Sequence, residues 1–197
     1  MSKKPTKTKK TTDKAFEIEK LRLEYLFENC IDLKYRIIRI TGSIGDQTFE
    51  DFDIQLTELE KQNPRKSVTV RINSPGGSVY DALAIVGRIK ASSCPIITEG
   101  YGHIMSAATM VLAAGDKRKI SKFAHFMHHK SSYMVGGDHD SIVEEVAQME
   151  REEKLWSKWM SEMSSKSEKF WYNSAKKKNF YMSAQEALEI GVVDGII

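Results

Sequence analysis

The hydrophobic positions between residues 35 and 129 change their period several times. "YRIIRITG" (35–42) is β-branched and closes on a glycine, which predicts a strand. From Phe49 onward Phe52, Leu56 and Leu59 fall at helical spacing, until "NPRK" (63–66) breaks the run. "SVTVRI" (67–72) alternates as a strand, "NSPGG" (73–77) turns, and Val79, Leu83, Val86 and Ile89 mark a second helix. "CPIITEG" (94–100) reads as a third strand, Gly102 as a bend, and "SAATMVLAAG" (106–115) as a helix ending on a glycine cap. "AHFMHH" (124–129) reads as a fourth strand. Strands alternating with helices imply an α/β fold with a mainly parallel sheet and right-handed crossovers. Past Gly137, Ile142, Val146, Met149, Trp156, Met160 and Met163 keep 4-3 spacing, with Glu153 filling the one gap and Leu155 and Trp159 widening the stripe. This predicts a helix over about 139–163, twice the usual length of ~11–12 residues. Such a helix either lies in the core or leaves the globule to pack between subunits.

Composition narrows the classes. The chain has 197 residues, 41% of them hydrophobic, enough for one domain with a sizeable core. No apolar run approaches the ~18 residues of a membrane span, and no apolar stretch of a signal peptide follows the lysine-rich start. The formal charge of +3 misleads: residues 1–14 hold six Lys and one Asp (+5), leaving −2 for the rest. That segment is polar and Thr/Lys-rich, so it is expected to be a disordered basic tail before a single domain over 15–197. No aromatic or arginine pattern accompanies its lysines, so nucleic acid is not the expected partner. Cys30 and Cys94 are too few for a disulfide framework and lack metal-ligand spacing. They read as buried thiols in a reducing, cytoplasmic compartment, and no metal or other cofactor is expected.

The chemistry-bearing residues gather at one sheet edge. "NSPGGSVYDA" is neither a P-loop nor a GxGxxG turn. Its two glycines, Gly76 and Gly77, follow a strand's C-terminal end, where ligands bind in open α/β sheets. Without a Cβ, their N–H groups can approach a ligand closely. Ser106 follows the next strand and so sits at the same end. It suits a helix N-cap, and equally a nucleophile, because a helix start carries free N–H groups and partial positive charge. His129 ends a further strand, sharing a face with His125 while His128 and Phe126 take the other. A serine, glycine amides and a histidine together would make an acyl-transfer site.

Five segments in unbroken order resemble the Clp protease proteolytic subunit family, ClpP-like serine peptidases. They are "LKYRIIRITGSI" (33–44), "INSPGGSVYDALAI" (72–85), "EGYGHIMSAATMVLAAG" (99–115), "HFMHHK" (125–130) and "FYMSAQEALEIGVVDGII" (180–197). The resemblance implies the ClpP/crotonase-type fold of stacked βαβ units, with the 139–163 helix as a protruding handle. It implies a serine endopeptidase with Ser106 as nucleophile and His129 as general base. Gly77, helped by Gly76, and Ala107 would form the oxyanion hole through their backbone N–H groups. It also implies stacked heptameric rings of identical subunits, unfolded proteins or peptides as substrates, and an AAA+ ATPase unfoldase as partner. Where the family has its third triad residue, an Asp, this sequence has Asn179; where Gln-Pro usually follows the His, it has Lys130-Ser131; and Ile104 and Met105 replace a pair of alanines before the serine. Residues 1–30 are unlike the family's axial-loop region, which weighs against the ATPase partner. Two other readings stay within the family: a phage-type capsid-maturation protease and a non-catalytic structural subunit. The crotonase branch, with acyl-CoA chemistry, shares the fold but works with carboxylates and lacks a Ser–His pair.

Overall fold

A computed structural model describes residues 7–29, 31–132, 134–176 and 179–197. An N-terminal helix, α1 (Lys7–Asn29), leads into the short strand β1 (Ile31–Asp32) and then β2 (Ile37–Thr41), α2 (Asp46–Gln62), β3 (Val68–Ser74) and α3 (Val79–Lys90). The long strand β4 (Ile96–Met105) feeds α4 (Ala107–Ala113), followed by β5 (Lys117–Ile120) and β6 (His125–His129). The last part comprises α5 (His139–Glu162), α6 (Glu168–Ala175), β7 (Asn179–Met182), α7 (Ala184–Glu189) and β8 (Gly195–Ile196).

β2, β3, β4 and β5 pair in parallel in that order, with β8 parallel to β5, as the alternation of strands and helices predicts. Their core-facing side chains, among them Ile38, Ile40, Val68, Val70, Ile72 and Ile96, lie against α2, α3 and α4. α4 is buried on every side, which is why its residues are small or apolar throughout.

The expected bend at Gly102 lies inside a strand. β4 continues to Met105 because Asn73 Oδ1 accepts the His103 N–H at 3.0 Å where the β3–β4 register shifts, between Ile72 and Ser74. The continuation gives β4 two successive neighbours. Residues 97–100 pair with β5, and residues 103–105 pair with β6. The second half, still paired to β3 through Ser74 and Ile104, thereby starts a branch of the same eight-stranded sheet, made by β6 and antiparallel β7.

Residues 1–6 of the expected tail and Cys30 lie outside the described residues, and α1 begins at Lys7, within the 1–14 segment. Lysine is a good helix former, and extending a helix already nucleated downstream costs far less than starting one. Arg22 pins α1 to Asp32 on β1 at 2.9 Å, while Phe16, Ile18, Leu21 and Leu23 remain exposed. Of the predicted thiols, Cys94 is buried and free.

The predicted long helix divides along its length. Trp156 and Met160 are buried, the first 6.1 Å from the His128 ring. Ile142, Val143 and Val146, in the first half, are exposed. Among the described residues no helix is long and apolar enough to cross a membrane.

Candidate active site

Ser106 sits where β4 gives way to α4. Its backbone is in the left-handed region, φ 53 and ψ −126, which costs a non-glycine residue of order 1–3 kcal/mol. The surroundings enforce it: its N–H donates to the Met127 carbonyl at 2.8 Å, and its carbonyl accepts from Thr109 N and Oγ1. It occupies the N-cap position of α4, yet its hydroxyl makes no capping hydrogen bond. That hydroxyl lies 2.8 Å from His129 Nε2 instead. The strained turn therefore aims the side chain out of the helix and at the imidazole.

β6 carries the histidines. His125 is exposed, Phe126, Met127 and His128 are all buried, and His129 lies half-buried at the strand's end, so burial does not follow the simple alternation expected from the sequence. Burial lowers the His129 pKa below its ordinary 6.5, so the ring is neutral at neutral pH. His128 is 2% exposed and packs edge-on to Trp171, with ring centroids 5.2 Å apart. Burial pushes its pKa down to about 4, against the smaller opposing effect of the Trp171 backbone.

Gly76 packs against the serine and Gly77 against the chain that follows β2. A Cβ on Gly76 (φ 96) would lie 2.7 Å from the Met105 carbonyl, 2.7 Å from Ser106 Cβ and 2.9 Å from the Ala107 nitrogen. A Cβ on Gly77 (φ 147) would lie 2.2 Å from the Ile44 carbonyl. The Gly76 N–H is occupied, donating to Ser74 Oγ at 3.0 Å, and its carbonyl accepts from the Ile44 N–H. Among the described residues neither the Gly77 N–H, one residue beyond Gly76, nor the Ala107 N–H, one residue beyond Ser106 and one of the amides every helix start leaves unpaired, has a hydrogen-bond partner.

Asn179 is the register partner of His129 across the antiparallel β6–β7 pair, so the two side chains leave neighbouring backbone positions. The Asn179 amide nitrogen lies 3.4 Å from the Tyr181 hydroxyl, at the long limit of a hydrogen bond. Several contributors carry no sequence signal. Ser74 and Met127 support the turn and the serine only through the fold's pairing, and neither spacing nor composition marks them. Lys130, by contrast, meets Glu153, the polar gap in the α5 stripe.

A family profile described as Clp protease matches residues 26–197. The chain belongs to the Clp protease family. Among its relatives, a Bacteroides fragilis protein named ATP-dependent Clp protease proteolytic subunit is 30% identical over 167 residues, 82% of this chain and 79% of the relative. ATP-dependent Clp protease proteolytic subunit 2 of Corynebacterium diphtheriae is 31% identical over 168 residues, 84% of this chain and 83% of the relative. Subunit 1 of Corynebacterium jeikeium is 30% identical over 84% of this chain and 88% of its own length. The family match begins at residue 26, so most of α1 precedes it.

Proposed function

We propose that this Clp-family chain is a serine endopeptidase that hydrolyses peptide bonds of unfolded polypeptides or peptides inside a chamber formed by copies of itself. The observation that carries this reading is the 2.8 Å contact between His129 Nε2 and the hydroxyl of a serine that caps nothing. Ser106 Oγ attacks the substrate carbonyl carbon as the neutral His129 takes its proton. The negative charge that develops on the carbonyl oxygen is received by the N–H groups of Gly77 and Ala107, fixed before the reaction begins. Gly76 serves by its lack of a Cβ, which lets the turn close on the serine. His129 then passes the proton to the leaving amine, and water repeats the cycle to release the acyl group.

With Nε2 facing the serine, the proton of neutral His129 sits on Nδ1. The Asn179 side-chain oxygen can accept that hydrogen and hold the tautomer, but it brings no charge to balance the imidazolium. The exposed apolar half of α5 supports contacts between copies, which the family resemblance would arrange as stacked heptameric rings, and the words ATP-dependent in the relatives' names support an ATPase partner, by that resemblance an AAA+ unfoldase.

The test is a fluorophosphonate probe with mass mapping, alongside turnover of a small fluorogenic peptide. The probe should label Ser106 alone. Ser106→Ala should abolish labelling and turnover while changing stability by no more than about 1 kcal/mol. Near-full turnover by Ser106→Ala would overturn the assignment.

A further inference from the structure

The apolar stripe of α5 has one polar interruption, Glu153, and the residue that follows His129 is a lysine. The fold brings these two together. Lys130 Nζ lies 2.5 Å from Glu153 Oε2, and the Glu153 side chain is only 16% exposed. Lys130 Nζ also lies 5.8 Å from the centre of the Tyr172 ring. Beside it is a small cavity lined by His128, His129, Lys130, Glu153, Trp156 and Tyr172.

His129 is the last residue of β6, and the chain from Ser131 to Asp138 forms no helix or strand where it is described. The Lys130–Glu153 pair therefore ties the residue directly after His129 to the helix that returns over the strand. It joins α5 just before Trp156 and Met160 anchor that helix to the core. An isolated pair that is partly open to solvent adds little to stability. Its larger effect is on charge. A lysine cation one residue from an imidazole opposes imidazolium formation, and a carboxylate held on that lysine cancels the opposition.

We propose that Lys130 and Glu153 form a positioning pair that sets the location and the basicity of His129. The proposal rests on His129 acting as the general base. Among the described residues, the ionisable groups facing His129 and Lys130 are His128 on the same strand, Glu150 and Glu153 on α5, Tyr172 on α6 with Lys176 just beyond it over the Tyr172 ring, and Tyr181 on β7, which also carries the neutral Asn179. Glu153 is the one that contacts Lys130.

The test compares the wild type with Glu153→Gln, Lys130→Gln and the double variant. Turnover of a small fluorogenic peptide is followed from pH 5.5 to 9, with kcat and KM resolved, particle mass checked by sedimentation, and the His129 ring titrated by NMR. In Glu153→Gln the unpaired cation should lower kcat by about five- to twentyfold with KM within about twofold. The His129 titration and the acid limb of kcat/KM should move to lower pH together. Removing the lysine as well should restore kcat to within about threefold of wild type and return the titration. A merely structural pair gives the opposite order, with the double variant at least as slow as Glu153→Gln, and that result overturns the proposal. So does a His129 titration identical in all four proteins. Should Glu153→Gln fail to assemble, Lys130→Glu places an anion beside the ring and must move the His129 titration upward; a downward shift or none overturns the proposal. An active wild type with unresponsive variants overturns this inference alone, whereas an inactive wild type that no fluorophosphonate labels overturns the peptidase reading with it.

Discussion

Ser106 and its neighbours show how one residue's backbone can decide the use of its side chain. In an ordinary N-cap the residue is extended and its oxygen accepts from the helix, as Ser78 does for Asp81. Ser106 is left-handed and its oxygen faces His129, so the same residue type at the same kind of position does something else. Sequence alone leaves both uses open, because φ is not legible in a serine. Asn179 presents a second case, since the ladder puts it opposite His129 but as an amide. Asn179→Asp should raise kcat by roughly ten- to a few hundredfold near neutral pH, because a carboxylate there would stabilise the imidazolium. The check is the rate on a fluorogenic peptide between pH 6 and 9; a flat or lower rate with assembly intact would remove residue 179 from the third position. His128 yields a pH prediction of a different kind. Its ring takes up a proton near 6.5 when unfolded but only near 4 when folded. Between those values the unfolded chain binds more protons, so stability falls as pH drops through 6.5 toward 4, by about 3 kcal/mol for this group. His128→Phe keeps an aromatic ring between the two tryptophans and removes the proton site. Denaturant melts at pH 7 and 4.5 should show a smaller loss for that variant than for the wild type.

Elements with a clean period were legible, and those held by partners were not. β2, β3 and α2 follow their apolar spacing closely. β5, "KRKI", has three basic residues in four and no apolar period to mark it. It is a strand because its backbone lies between β4 and β8 and because Arg118 is gripped by Asp194 and by the Met163 carbonyl. α5 was legible as a helix but not as two functional halves. Its tryptophans suggest contacts between subunits, yet Trp156 is buried within its own chain, against His128. The halves should respond oppositely to mutation. Trp156→Ala should cost about 3–5 kcal/mol of stability. Ile142→Glu with Val146→Glu lies on the exposed half and should change protomer stability by no more than about 0.5 kcal/mol each, while shifting sedimentation toward smaller particles. Unchanged particle mass in that double variant would count against α5 as the interface.

For the molecule as a whole, the order of elements and the edge at which the site forms were legible, because both follow from strand–helix alternation and from which end each strand leaves. The division of β4 between two successive neighbours, β5 and β6, was not, since it depends on an asparagine thirty residues away in sequence, Asn73, meeting the His103 N–H. The site joins two crossovers of the sheet, and the contact between them is steric. Gly76→Ala would drive a methyl group to 2.7 Å from Ser106 Cβ and from the Met105 carbonyl. At a positive φ this should destabilise the protein by at least about 1–2 kcal/mol and eliminate fluorophosphonate labelling, even though no reacting group is altered. Full labelling of a folded Gly76→Ala protein would show that the turn and the serine move independently.

That interlock has a meaning for how such a chain can be varied or recombined. The glycine turn and the serine turn are parts of a single cassette, although about thirty residues of helix and strand separate them. A crossover between this gene and a relative that falls between codons 77 and 106 combines turns shaped in different backgrounds, and the Ser106 strain leaves little slack to absorb a mismatch. A crossover before codon 73 or after codon 107 carries both turns together. Chimaeras of the second kind should keep a probe-reactive serine far more often than those of the first, whatever their overall identity.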